Sequence, residues 1–262
     1  MKYIGIRGHK GAGKTTISYL LGNTLNYILE KSTDNFDVLY RTWCDDFIKD
    51  ERIIHECQLE YIYFESFSDT LKLWVKLLIG CPSHWANDDY YKDHVIINLK
   101  DFSYIIHDEI PDNIKVYTHE ELYEIMPKDR LPMTITKNIY IDLRNFIMYF
   151  GLEVMQRFFG SNVWVKSMKQ SHEFYNSLFN DNDMIKLFID VKTPGEVTYI
   201  RNNGGIIVKV IRPKCKKSSS KRDKLSQDNR FDYEVVIGDD LYETKDIVFE
   251  IANKIIKNGE EN

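Results

Sequence analysis

Residues 8–15, Gly-His-Lys-Gly-Ala-Gly-Lys-Thr, fit the pattern G-x-x-x-x-G-K-[ST] at every position. The flanks give the pattern its meaning. Ahead of it, Tyr3-Ile4-Gly5-Ile6 is a short, mostly apolar run that reads as a strand beginning almost at the first residue. Behind it, Ile17, Leu20, Leu21, Thr24, Leu25 and Ile28 share one helical face. Glycines in such a strand-to-helix loop let the backbone turn its amide hydrogens inward around a phosphate. The helix N-terminus adds partial positive charge. The loop therefore predicts a nucleoside-triphosphate site built from Gly8, His9, Lys10, Gly11, Ala12, Gly13, Lys14, Thr15 and Thr16. Lys14 would bridge the β- and γ-phosphates, and the Thr15 hydroxyl would ligate Mg2+.

A strand ending in such a loop needs a sheet, and the rest of the chain supplies candidate strands. Asp37-Val38-Leu39-Tyr40 reads as a second strand. From Asp45 to about Ile79 the pattern is helical, with Ile53, Ile54, Cys57, Tyr61 and Phe64 at spacings of 1, 3, 4 and 3. Residues 81–141 hold four of the six prolines and two strand-like runs, HVIINL and FSYIIHDEI, and read as an irregular insertion. Helical periodicity returns at 142–159 and 163–179. A buried strand at 185–191 carries Asp190, and a short helix over Glu196–Asn202 is ended by Asn203-Gly204-Gly205. A strand at 206–211, a strand at 233–238 and a helix at 241–257 complete the chain. Strand–helix alternation at both ends implies an α/β fold with a mostly parallel, doubly wound sheet and helices on both faces.

Composition narrows the partners. The 262 residues are 43% hydrophobic and 29% charged, which excludes collagen-like, coiled-coil and wholly disordered chains. The formal charge of −5 argues against whole-surface attraction to nucleic acid or anionic lipid. No stretch approaches the roughly 20 apolar residues that span a bilayer, and MKYIGIRG lacks the apolar core of a signal peptide. No membrane partner and a cytoplasmic location are expected. The four cysteines, Cys44, Cys57, Cys81 and Cys215, form no CxxC pair and read as free thiols. Cys81-Pro-Ser-His84, with His55, Cys57 and His94 elsewhere, lacks the second paired spacing of a zinc site. The segment 214–230 carries seven Lys or Arg and only Leu225 as a large apolar residue, so it has nothing to pack a core with.

Two acidic sites compete for the second magnesium contact: Asp190 at the end of IKLFID, and Asp108-Glu109 at the end of SYIIHDE. A carboxylate at the carboxyl end of a strand beside the loop can hold magnesium-bound water. The Asp108-Glu109 pair would suit a hydrolysing ATPase, with Glu109 polarising water.

The chain resembles the phage-type deoxynucleoside monophosphate kinases, within the P-loop nucleoside monophosphate kinase fold. Five segments in the family's order carry the resemblance: the phosphate loop; Leu143-Arg144 with YFGLEVMQRFFGSNVWV; IDVKTPGEVTYIRNNGG; VKVIRP before a basic lid; and VVIGDD. They cover roughly 1–44 and 142–257. The resemblance implies a P-loop core of 1–44 and 142–262, a lid at about 213–231, and a helical and irregular insertion at 45–141 on the acceptor-nucleotide side. It implies ATP and Mg2+ as cofactors and transfer of the γ-phosphate to a (deoxy)nucleoside monophosphate in a phage-infected cytoplasm. Arg144 and Arg157 would grip the acceptor or the transferring group, Asp190 the metal, and Lys192 a phosphoryl oxygen. Arg212 would contact adenine or the phosphates. Glu153 would hold an arginine or the acceptor sugar, and Trp164 would either stack on a base or pack in the core.

The chain departs from the family at three places. Lys192 stands where the family has arginine, Leu152 where it has threonine, and Lys224-Leu225-Ser226-Gln227 where it has a histidine and a glutamate. A lysine offers no bidentate fork. Arg144 and Arg157 lie 13 residues apart, a rotation of about 220° on a regular helix, so a break near Gly151 is needed for both to face inward. Two further readings follow: a P-loop ATPase or switch using Asp108-Glu109, and a nucleotide-binding protein without kinase turnover. A homodimer is compatible with the sequence, which does not specify one.

Overall fold

The glycine loop leaves the middle strand of a parallel sheet. In a computed structural model, which describes residues 2–107, 114–126, 135, 137–178, 184–214 and 231–257, the elements run as follows. The first part holds β1 (Lys2–Arg7), α1 (Lys14–Leu29), α2 (Phe36–Lys49), α3 (Ile53–Glu56) and β2 (Ile62–Glu65). Next come α4 (Asp69–Ile79), α5 (Asp89–His94), β3 (Val95–Asn98), β4 (Tyr104–Ile106), β5 (Val116–Tyr117), α6 (His119–Ile125) and β6 (Tyr140–Asp142). A continuous helical stretch follows, α7 (Leu143–Met148), a π-helical segment (Tyr149–Met155) and α8 (Gln156–Phe159), then α9 (Val163–Leu178). Last are β7 (Ile185–Phe188), α10 (Pro194–Asn202), β8 (Ile206–Ile211), β9 (Tyr233–Val236) and α11 (Lys245–Lys257).

The chain divides into two units, Met1–Phe67 with His172–Asn262, and Ser68–Ser171. The sequence reading put its boundaries at 44/45 and 141/142. In the structure β2 belongs to the first unit because it pairs with β7, and α7 and the π-helical segment after it belong to the second because they share its core. Among the described residues no helix is long and apolar enough to cross a membrane.

In the first unit the sheet order is β2-β7-β1-β8-β9, with every pairing parallel. Alternation sorts the side chains. Ile4, Ile6, Ile62, Ile185 and Leu187 face a core shared with Ile17, Leu20, Leu21 and Leu25 of α1 and Val248, Ile251 and Ile255 of α11. Tyr3, Lys186 and Tyr63 lie side by side in register on the opposite face. There the rings of Tyr3 and Phe188 stack at 5.8 Å, and Tyr199 of α10 meets both edge-on. Helices on both sheet faces are compatible with a doubly wound fold.

That second face also holds a buried polar chain. Lys186 Nζ lies 3.5 Å from Glu65 Oε1, and His172 Nε2 is 2.7 Å from Glu65 Oε2. A carboxylate accepts, so Nε2 donates to Glu65, and Nδ1 shares a hydrogen bond with the Tyr199 hydroxyl at 2.8 Å. All four side chains are buried.

Two elements differ from the sequence reading. Residues 37–40 are helical, not a second strand: Asn35 caps α2 by accepting from the Val38 N–H, and Tyr40, Cys44 and Phe47 bury one helical face. The true neighbour of β7 is Ile62–Glu65, inside the stretch read as continuous helix.

The second unit holds a sheet in the order β4-β3-β6-β5, in which β3 runs antiparallel to β4 and β6, and β5 parallel to β6. Its core joins Leu71, Val75 and Ile79 of α4 to Val95, Ile97, Ile141, Phe146, Phe150 and Val154. Near Gly151 the helix does not break. It winds wider through seven π-helical residues, and the Trp164 indole N–H donates to the Gly151 carbonyl at 3.3 Å.

Candidate functional site

Because β1 is central and parallel to both neighbours, the loop at its carboxyl end lies beside the residues that follow β7 and β8. Gly11 and Gly13 adopt φ of 77° and 87°, the left-handed region that glycine alone enters at little cost. Ala12 N–H donates to the His9 carbonyl at 3.1 Å, closing the turn. Helix α1 then starts at Lys14 with no side-chain cap and no acidic residue in its first turn. Helix geometry leaves its first amides without main-chain partners, and its dipole favours an anion there.

Lys14 folds back over the loop. Its ammonium donates to the Gly8 and His9 carbonyls at 3.0 and 2.9 Å and lies 3.6 Å from Asp190 Oδ1. The other oxygen of Asp190 pairs with the Lys192 ammonium. One carboxylate is thus shared by two lysines at the mouth of the loop. Thr15 and Thr16, both half-buried, open α1, and Lys10 lies exposed on the loop.

A lone hydroxyl (Thr15) and a lone carboxylate (Asp190) suit a magnesium ion whose other ligands are phosphate oxygens and water. Among the described residues no group of three or more His, Cys, Asp or Glu is arranged to hold a metal alone. Beneath Asp190, the buried Glu196 carboxylate accepts the N–H groups of Lys192 and Thr193 at 2.5 and 2.8 Å. Burial pushes the Glu196 carboxyl pKa up.

An added Cβ at Gly13 would lie 2.4 Å from Ile237 Cδ1, in a backbone conformation that already strains an L-residue. Gly13→Ala is expected to cost on the order of 1–2 kcal/mol from backbone handedness alone and to weaken nucleotide binding as well. Urea unfolding and a nucleotide titration of the variant check both.

The structure brings Lys14, Asp190 and Lys192 together in the first unit. Arg144 and Arg157 lie in the second, each with partners there. Arg144 Nε and Nη2 donate to Asp93 at 2.5 and 3.0 Å, and Nη2 also reaches Asp89 at 3.2 Å. The Arg144 guanidinium holds the Asp93 carboxyl below its ordinary range; Asp89 is lowered first by Lys92 and then by Arg144. A phosphate at Arg144 would have to compete with both carboxylates. Arg157 lies 3.8 Å from Glu153 Oε2 and over the Tyr123 ring at 5.2 Å.

Arg212 is exposed directly after β8, and Lys214 pairs with Asp239 at 2.7 Å, tying the end of β8 to the loop after β9. Trp164 is buried in the core of the second unit. Asp108-Glu109 and the basic segment 215–230 lie outside the described residues.

Sequence reasoning missed Glu65, His172 and Lys186, and also Asp89 and Asp93. Lys186 lies in an otherwise apolar strand, which is a signal that it needs a buried partner. No comparable signal marks His172 or the two aspartates.

Compared with protein-family models and with curated proteins, the chain matches none.

Proposed function

We propose that the chain is an ATP-dependent kinase that transfers the γ-phosphate to a (deoxy)nucleoside monophosphate, giving the diphosphate. The observation that carries this reading is the Lys14 ammonium, held over the glycine loop beside Asp190 and Lys192 at the carboxyl end of the central parallel strand. Amides of residues 8–16 would take the β-phosphate, as anions sit at helix N-termini. Lys14 would then leave the loop carbonyls for the β- and γ-oxygens. Lys192, a point charge without a fork, would follow the transferring group.

Thr15 and Asp190 would hold Mg2+, which when bound neutralises charge between the phosphates. Arg212, exposed directly after β8, would contact the adenine or the phosphates. The resemblance to deoxynucleoside monophosphate kinases supplies the acceptor class. Such a transfer needs positioning and charge neutralisation more than covalent chemistry from the protein.

The test is ADP release from ATP against a panel of purine and pyrimidine monophosphates. ADP that appears only with an added monophosphate is the expected result; background ADP with every acceptor, while ATP still binds, overturns the reading. One observation favours a second reading, a nucleotide-binding protein without kinase turnover: the two carboxylates already on Arg144. The same panel separates the two. ADP production without any acceptor would instead mark a hydrolysing ATPase.

A further inference from the structure

We infer that Glu196 is a positioning residue of this site: its carboxylate fixes the Ile189–Thr193 turn from which Asp190 reaches the metal position and Lys192 the phosphates. The inference rests on the proposed role of Asp190 as a magnesium ligand.

The turn is tethered on both sides of Asp190. Ile189 N–H donates to the Glu65 carbonyl at 2.9 Å, and Val191 N–H to the Ile6 carbonyl at 2.9 Å, which places the turn against β2 and β1. Beyond Val191 no strand pairing continues, and the next two amides, of Lys192 and Thr193, both end on Glu196 Oε2. The Thr193 hydroxyl accepts the Glu196 N–H in return at 3.3 Å, completing a capping box at the start of α10.

A capping box needs only the bond to the cap residue, here Thr193. The bond to Lys192 lies outside the helix and fixes the residue whose ammonium pairs with Asp190. Glu196 is 8% exposed, and a carboxylate is costly to bury. Capping alone would be served by an exposed one. Its action runs through the main chain, so a variant that keeps an acceptor oxygen keeps the geometry: Glu196→Gln preserves the turn and Glu196→Ala releases it.

The experiment has two arms. In the first, without nucleotide, urea unfolding is measured for Asp190→Asn, Lys192→Met and the double variant, in chains carrying Glu196, Glu196→Gln or Glu196→Ala. Non-additivity of the two changes reports their ion pair. It is expected with Glu196 and with Glu196→Gln and absent with Glu196→Ala.

In the second arm, the affinity for a fluorescent adenine nucleotide is measured with and without Mg2+. The ratio of the two is expected to be about tenfold or more in the unaltered chain. It should fall to the Asp190→Asn level in Glu196→Ala and return in Glu196→Gln. A helix-capping role alone would lower stability without moving that ratio.

Wild-type coupling and a wild-type ratio in Glu196→Ala overturn the inference. Absence of nucleotide binding by the unaltered chain overturns the proposed function, and the unfolding arm then decides Glu196 alone.

Discussion

Replacing Lys14 by methionine is expected to weaken nucleoside-triphosphate binding about 10- to 100-fold, as loss of a hydrogen bond to a charged group of about 1.5–3 kcal/mol requires. Methionine keeps an apolar stem of similar length and removes only the ammonium. The loop glycines and the uncapped start of α1 remain, so residual binding persists. Asp190 stays paired with Lys192, which leaves no orphaned carboxylate to upset the fold. Calorimetric titration of both proteins with ATP and Mg2+ reads the effect, and the unfolding midpoint serves as control. An affinity within about threefold of wild type would remove Lys14 from the site.

Glu65→Gln is expected to cost about 3–5 kcal/mol of stability, the usual result of removing one partner from a buried ion pair. Glutamine is isosteric and still accepts from His172, so the change isolates the charge. What it leaves is the Lys186 ammonium, 6% exposed, on a strand paired on both sides. Adding Lys186→Met to Glu65→Gln should recover much of the loss, because no uncompensated charge then remains buried. Urea unfolding of the single and double variants provides the cycle. A single variant within about 0.5 kcal/mol of wild type, the range of ordinary surface substitutions, would show that Lys186 finds other compensation.

The glycine loop was legible in the sequence because its spacing and its flanks make one statement, and Gly11 and Gly13 do take positive φ. The strand expected at 206–211 and the helix expected at Glu196–Asn202 were legible too, the helix starting two residues earlier at Pro194: a run apolar but for Lys209, and Asn203-Gly204-Gly205 after the helix end, are strong local signals. The second strand was misplaced for a physical reason. Asp37-Val38-Leu39-Tyr40 ends in three consecutive apolar or aromatic residues, a short run that reads equally as strand or helix, and the helical period of Tyr40, Cys44 and Phe47 shows only in a longer window. Conversely, Ile62–Glu65 is a strand because β7 pairs with it, and Tyr61 and Phe64 happened to continue a helical spacing. The partners of Arg144 were not legible, since Asp89 and Asp93 are more than 50 residues away in the chain. Long-range pairing of that kind leaves no local trace.

The strand order β2-β7-β1-β8-β9 has a consequence for assembly on the ribosome. The opening strand is flanked by two that are synthesised some 180 to 200 residues later, Ile185–Phe188 and Ile206–Ile211. Ser68–Ser171, contiguous in sequence, can bury its own apolar residues while the opening strand still waits with both edges bare. Nascent chains halted before residue 185 should therefore expose Lys2–Arg7 to chaperones and proteases, and protection should arrive late, with the pairing of Ile185–Phe188 and Ile206–Ile211.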